Sequence, residues 1–285
     1  MIIRKIRHRL AMALRRMAFL LQPDPSTEDP AFADFDLIPK GQFNYVPKDS
    51  YVFGPISHYL LVPKNRYRVQ LLPEQKITDE LGIGWITEDN SAESYDQLWG
   101  NESNLAAFRE EAGHIRDILS AEIIDFAVEQ IPETAGVIDI GCGVGDLLSE
   151  LRSRRPRVRV SGLDFSPKAV EGAQKSFPDG DFRVHRIDKT LPFETDSYDV
   201  VFCTDVLEHL EYPHLIVAEL VRICRPGGLV IIVVPDGEVD QFLGHYWFWN
   251  ADSLSQLLST WSPEIAKLPE SKEYIARLRI APAQA

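Results

Sequence analysis

Three cysteines in 285 residues, Cys142, Cys203 and Cys224, are too few and too unevenly spaced for a disulfide framework or a zinc site. Free thiols in a reducing compartment are the expectation. No apolar run approaches the roughly 18 residues that a spanning helix needs. Positive charge is also scarce, with 30 Lys and Arg against 43 Asp and Glu and a net charge of −13. Such a field repels polyphosphate and argues against nucleic acid as a partner, a local basic groove excepted. There are no internal repeats. What is present, 285 residues at 45% hydrophobic composition, suffices for one α/β domain and a smaller appendage.

The first 23 residues reverse the charge balance, with Arg4, Lys5, Arg7, Arg9, Arg15 and Arg16 and no acid. On a helical wheel Ile2, Ile3, Ile6, Leu10, Ala13, Leu14, Met17, Leu20 and Leu21 share one face, flanked by the basic side chains. That pattern suits an interfacial helix on anionic lipid. It equally suits a helix packed on the protein's own acidic body or on a partner subunit. Arg15 and Arg16 interrupt the apolar stretch that a signal peptide would need. Pro23, Pro25 and Pro30 mark a linker, and the aromatic- and proline-rich run to residue 90 has no helical period. Within it, residues 51–56 and 67–72 read as short strands or extended arms. The organisation is therefore read as 1–22, a basic amphipathic helix; 23–90, an irregular or β-rich arm; and 91–285, the main unit.

Residues 91–130 read as mostly helical, with Tyr95 in a short helix over a site and an apolar stripe at Ile115, Ile118, Leu119, Ile123, Phe126 and Ala127. Strand and helix then alternate, which implies a parallel sheet. The predicted strands are 137–140, 158–163, 182–187, 198–203 and 229–234. A helix over 251–260 follows, capped by Asn250 or Asp252, and then an antiparallel pair over 264–268 and 273–280. Four acids fall at the carboxyl ends of successive strands: Asp139, Asp164, Asp188 and Asp205. In an open α/β sheet that edge binds ligands.

The turn after the first of these strands reads Asp139-Ile140-Gly141-Cys142-Gly143-Val144-Gly145-Asp146. A dinucleotide-binding turn needs G-x-G-x-x-G, but Asp146 stands where its third glycine belongs. Asp139 and Asp146 would repel a pyrophosphate and would welcome a cationic ligand. The pattern D-x-G-x-G-x-G resembles motif I of the class I S-adenosylmethionine (SAM)-dependent methyltransferases. Further along, Leu191-Pro192-Phe193 with Asp196 to Val201, Val206-Leu207-Glu208-His209-Leu210, and Leu220 to Gly228 are similar to later segments of the same superfamily, of its small-molecule "type 11" kind. The resemblance covers about residues 115–260. It implies a Rossmann-like α/β fold with a mostly parallel seven-stranded sheet and helices on both faces, preceded by an irregular extension. It also implies SAM as cofactor, held by Asp139, Gly141, Cys142, Gly143, Gly145, Asp164, Phe165, Asp188 and Lys189. A weaker likeness links residues 53–69 to β-sandwich modules found beside glycosyltransferases; a wrapping arm is the preferred reading.

Methyl transfer from a sulfonium is an in-line displacement, and a hydroxyl acceptor gains from a base or a metal. Tyr95, Asp205, His209 and His245 are the candidate catalytic residues. Asp205, Glu208 and His209 form D-x-x-E-H, which resembles the E-x-x-E-H metal site of ubiquinone-pathway O-methyltransferases and small-RNA 2′-O-methyltransferases. Asp in first place departs from that motif, so no metal is assigned and His209 is read as neutral, structural or substrate-facing. The aromatic run Tyr246 to Trp249 could line an acceptor pocket or pack the last helix. The expected function is methyl transfer to oxygen of a small-molecule or glycan acceptor by a cytoplasmic enzyme, peripheral on the membrane if residues 1–22 bind lipid. A protein or RNA acceptor, or a catalytically silent SAM-binding protein, are the alternatives.

Overall fold

The computed structural model describes residues 35–39, 51–52, 59–63, 84–85, 92–100, 114–187, 190–210, 213–237, 245, 247 and 249–282. The expectations for the basic helix, the linker, residues 53–56 and 67–72, Asp188, Lys189, Tyr246 and Phe248 lie outside them. Four short strands, β1 (Phe35–Pro39), β2 (Tyr51–Val52), β3 (Tyr59–Pro63) and β4 (Gly84–Trp85), pair antiparallel in the order β1-β3-β2-β4. Two helices follow, α1 (Ala92–Trp99) and α2 (His114–Ala127). Leu119, Ile123, Ile124 and Ala127 of α2 are buried, so the apolar stripe extends to Ile124.

The main sheet is built on β5 (Gly136–Ile140), whose β-branched run is buried throughout. It pairs in parallel with β6 (Arg159–Asp164) on one side and β8 (Tyr198–Thr204) on the other. Outside β6 lies β7 (Asp181–Val184), and outside β8 lies β9 (Cys224–Val234). Antiparallel β11 (Tyr274–Arg279) and β10 (Glu264–Lys267) complete seven strands in the order β10-β11-β9-β8-β5-β6-β7. Strand order reverses between β5 and β8, so a crevice opens at their carboxyl ends, where such sheets bind ligands.

Alternation along the strands gives the sheet two cores. Val230, Ile232 and Val234 join Ile138 and Val201 on one face, while Leu229, Ile231 and Val233 join Val137 and Phe202 on the other. The first face is covered by α5 (Pro213–Ile223) through Ile216, Val217 and Leu220, and by Leu254 of α6 (Ala251–Leu257). The second is covered by α2 and by α3 (Asp146–Arg154) through Leu147, Leu148 and Leu151. Helix α4 (Pro167–Ser176) approaches closely on Ala169 and Ala173; Ser166 caps it and Pro167 opens it.

Three boundaries differ from the sequence reading by three residues or more. The third strand stops at Val184 instead of Ile187, because it is an edge strand with only β6 to pair with. The fifth begins at Cys224, five residues early, since pairing with Tyr198 extends the ladder across a bulge with Gly227 at φ +80°. The last helix ends at Leu257, and a 3-10 turn over Ser259–Trp261 replaces its final part. Asn250, in a reciprocal capping box with Ser253, is its cap.

Candidate functional site

Gly141, Gly143 and Gly145 have φ of +86°, +51° and +90°, a region that side chains disfavour. The chain leaves β5 and hooks onto its neighbour, the Gly141 and Cys142 amides both donating to the Leu163 carbonyl, at 2.7 and 3.0 Å. A Cβ on Gly141 would lie 2.2 Å from Val206 Cγ2, and one on Gly145 2.9 Å from Phe177 Cε2. Asp164 faces this turn. Its Oδ2 accepts from the Gly143 amide and its Oδ1 from the Ser166 amide, each at 2.9 Å. A carboxylate oxygen can take more than one hydrogen bond, so the group that braces the turn can also accept from a ligand hydroxyl. Asp139 is buried at the end of β5. The turn is electronegative: burial pushes the Cys142 thiol well up, and the charges of Asp139 and Asp164 add to that. The Cys142 side chain packs in the core, and its Sγ donates to the Gly143 carbonyl at 3.5 Å, so it supports the turn from within.

A second group stands at the same sheet edge. His209 ends a 3-10 turn after β8 (Leu207–His209), and His245 comes from the segment after β9. Their ring centroids are 4.6 Å apart at 74°. Tyr95, from α1, lies 4.9 Å from the Phe165 ring and 6.5 Å from that of His209. The structure thus brings Tyr95, Phe165, His209 and His245 together. Trp247 fastens the two segments, its amide donating to the Glu208 carbonyl at 3.3 Å and its Nε1 to the Leu210 carbonyl at 2.8 Å. Trp247 and Trp249 stack at 5.7 Å and are buried in the core, so these two pack the site from beneath and do not line a pocket.

Glu208, which the sequence reading placed only in a motif, is fully buried, with Oε1 3.9 Å from His245 Nε2. Asp205, at φ +53°, follows β8, its amide donating to the Val233 carbonyl at 3.2 Å. Burial pushes the Cys203 thiol beneath well up, with Glu208, Asp139 and Asp205 adding to it. Ligand atoms of Glu208, His209 and His245 all lie within 4.8 Å of one another, the span of a divalent-cation site. The third member of that group is His245, whereas the motif had pointed to Asp205. No local signal joins residues 36 positions apart.

Residues 138–232 match the family model described as a methyltransferase domain. They form a class I methyltransferase domain. A 2-methyl-6-phytyl-1,4-hydroquinone methyltransferase from Synechocystis is 26% identical over 198 residues, 63% of this chain and 61% of the relative. A ubiquinone biosynthesis O-methyltransferase from Xanthomonas oryzae is 34% identical over 102 residues, 34% of this chain and 42% of the relative. The chain therefore spans less than two thirds of either relative's length. The plantazolicin methyltransferase, solved with S-adenosylhomocysteine (SAH), shares the fold at a TM-score of 0.51 and 17% identity, over 68% of this chain and 97% of that one.

The cofactor of the methyltransferase domain is SAM, and the residues present fit it. The glycine turn excludes side chains from the sheet edge, as close backbone approach requires. Asp164 is braced by two amides toward the same space, where it can accept ribose hydroxyls. Buried Asp139 suits an ammonium or sulfonium and opposes a pyrophosphate.

Proposed function

We propose that this chain is a SAM-dependent methyltransferase that methylates an oxygen of a small-molecule or glycan acceptor. The observation that carries the reading is the adjacency of the acid-braced glycine turn and the His209–His245 pair on one sheet edge. When bound, SAM supplies an electrophilic methyl group on a sulfonium. Asp164 and the glycine turn hold the donor. A neutral imidazole of the pair accepts the hydroxyl proton as the acceptor oxygen is alkylated. Glu208, 3.9 Å from His245, stabilises the resulting positive charge. Tyr95 and Phe165 supply an aromatic wall that excludes water. The relatives named for hydroquinone and ubiquinone substrates support a hydroxyl-bearing acceptor.

The test is SAH formation from SAM against a panel of hydroquinones, other phenols and glycans, with product mass spectrometry locating the methyl group. A methylated nitrogen or carbon would refute oxygen as the acceptor. Calorimetry with NADH binding and no SAM or SAH binding would overturn the reading itself.

The six basic residues of 1–22 support a peripheral membrane location, which would hold the enzyme beside an amphiphilic acceptor. Co-sedimentation with anionic vesicles should be lost when residues 1–22 are removed and should weaken as salt rises. Equal sedimentation of both chains would end the membrane proposal.

A further inference from the structure

Helix α1 is seated on the cofactor side of the domain by a carboxylate with no part in the chemistry above. Asp96 Oδ1 accepts from Ser166 Oγ at 2.5 Å and from the Lys168 amide at 3.0 Å. Ser166 Oγ accepts from the Ala169 amide at 3.1 Å. The opening amides of α4 are thus capped jointly by a local residue and by one 70 positions earlier. Ser166 is also the residue whose amide donates to Asp164 Oδ1, and Asp164 Oδ2 in turn accepts from the Gly143 amide. A continuous chain of hydrogen bonds runs Asp96, Ser166, Asp164, Gly143. The other end of α1 is close-fitted as well: a Cβ on Gly100 would lie 3.0 Å from Lys168 Cγ. Between these two attachments and the site stands Tyr95, adjacent to Asp96 and in ring contact with Phe165.

We propose that Asp96 is a positioning residue, a latch that seats Tyr95 beside Phe165 and His209 and ties that seat to the cofactor-binding carboxylate Asp164. This rests on reading the glycine turn as the SAM site. The attraction is physical: a carboxylate meets unsatisfied amides at the positive end of α4. Breaking it frees α1 at one end, and the aromatic wall over the turn loosens. The cofactor then escapes faster, although no group that touches it has changed. A side chain that merely capped α4 would alter stability and leave cofactor release alone.

The experiment measures SAH dissociation by stopped flow, and SAH affinity by calorimetry, on the full-length chain. Asp96→Ala and Tyr95→Ala should each speed SAH release about tenfold, the scale of one charged hydrogen bond. Because Asp96 acts through Tyr95, the double variant should be no faster than the worse single variant. Asp96→Asn keeps an acceptor oxygen and should release SAH nearly as slowly as the wild type. Gly100→Leu puts a Cβ 2.7 Å from the Asp96 carbonyl oxygen and 3.0 Å from Lys168 Cγ, which wedges α1 off its seat at the cap residue without removing the carboxylate, and it should also speed release; it serves if Asp96→Ala does not fold. Additive effects, or a lowered melting temperature with unchanged SAH release, would overturn the latch. A wild-type chain that binds no SAH would instead sink the SAM reading, so the two failures are distinguishable.

Discussion

His209 and His245, 36 positions apart in the chain, meet ring to ring at 4.6 Å because the segments after β8 and β9 converge on one sheet edge. If the pair takes the acceptor's proton, His245→Ala should lower turnover by a factor of about 10²–10⁴. SAH affinity should stay within about threefold, since His245 is placed in the proton-accepting pair and the glycine turn with Asp164 holds the cofactor. Steady-state kinetics beside calorimetry checks this. An equal loss in both would mean that His245 supports the fold and not the chemistry.

Gly141 is limited twice, by its φ of +86° and by Val206 Cγ2 at 2.2 Å from any added Cβ. Gly141→Ala should cost about 2–4 kcal/mol from the backbone and the clash together. Pairing it with Val206→Ala should relieve the clash and leave the backbone cost. Urea denaturation of the double variant should therefore show a smaller loss than the two separate losses added. An additive result would show that Val206 is not the obstacle.

Asp164 braces the turn and faces the ligand with the same two oxygens. Asp164→Ala should weaken SAH binding by at least about 1–3 kcal/mol, through lost ligand hydrogen bonds and an unsupported Gly143 amide. Asp164→Asn can still accept but brings an N–H₂ where acceptors are needed, and should fall between. Unchanged calorimetric affinity in the alanine variant would remove Asp164 from the site.

Glu219 links α5 to the segment before β8, its oxygens accepting from Arg222 and from the Leu191 amide. The Arg222 hydrogen bond is the main cause holding its carboxyl below the ordinary value of 4.5. Between the two values the unfolded chain binds more protons than the native one. The stabilisation is therefore present above about pH 4.5 and is lost as pH falls through the native value. Glu219→Gln should destabilise by about 1–2 kcal/mol at pH 7. The difference from wild type should shrink as pH falls below 4.5. A difference that persists at pH 3 would assign the effect to packing.

The strands of the main sheet, a cap at Asn250 or Asp252 and the glycine turn were readable in sequence. Each rests on local chemistry: β-branched runs favour buried strands, hydroxyl and amide side chains satisfy orphan amides, and glycine alone takes repeated positive φ cheaply. The acids Asp139, Asp164 and Asp205 were legible for a related reason, because strand ends in an alternating chain must fall on one edge. Three things were decided only by tertiary structure. The third strand stopped at Val184 because it has a neighbour on one side alone. Trp247 and Trp249 became core because the segment carrying them folds back under the turn that holds Glu208. The contacts of Asp96 with Ser166, of His209 with His245 and of Val206 with Gly141 join residues 36 to 70 positions apart. Propensity and spacing act over a few residues, whereas such contacts depend on how whole helices and strands settle against one another. For that reason the sequence could name the edge on which the chemistry sits, while only the packed sheet and its covering helix could say which side chains meet there.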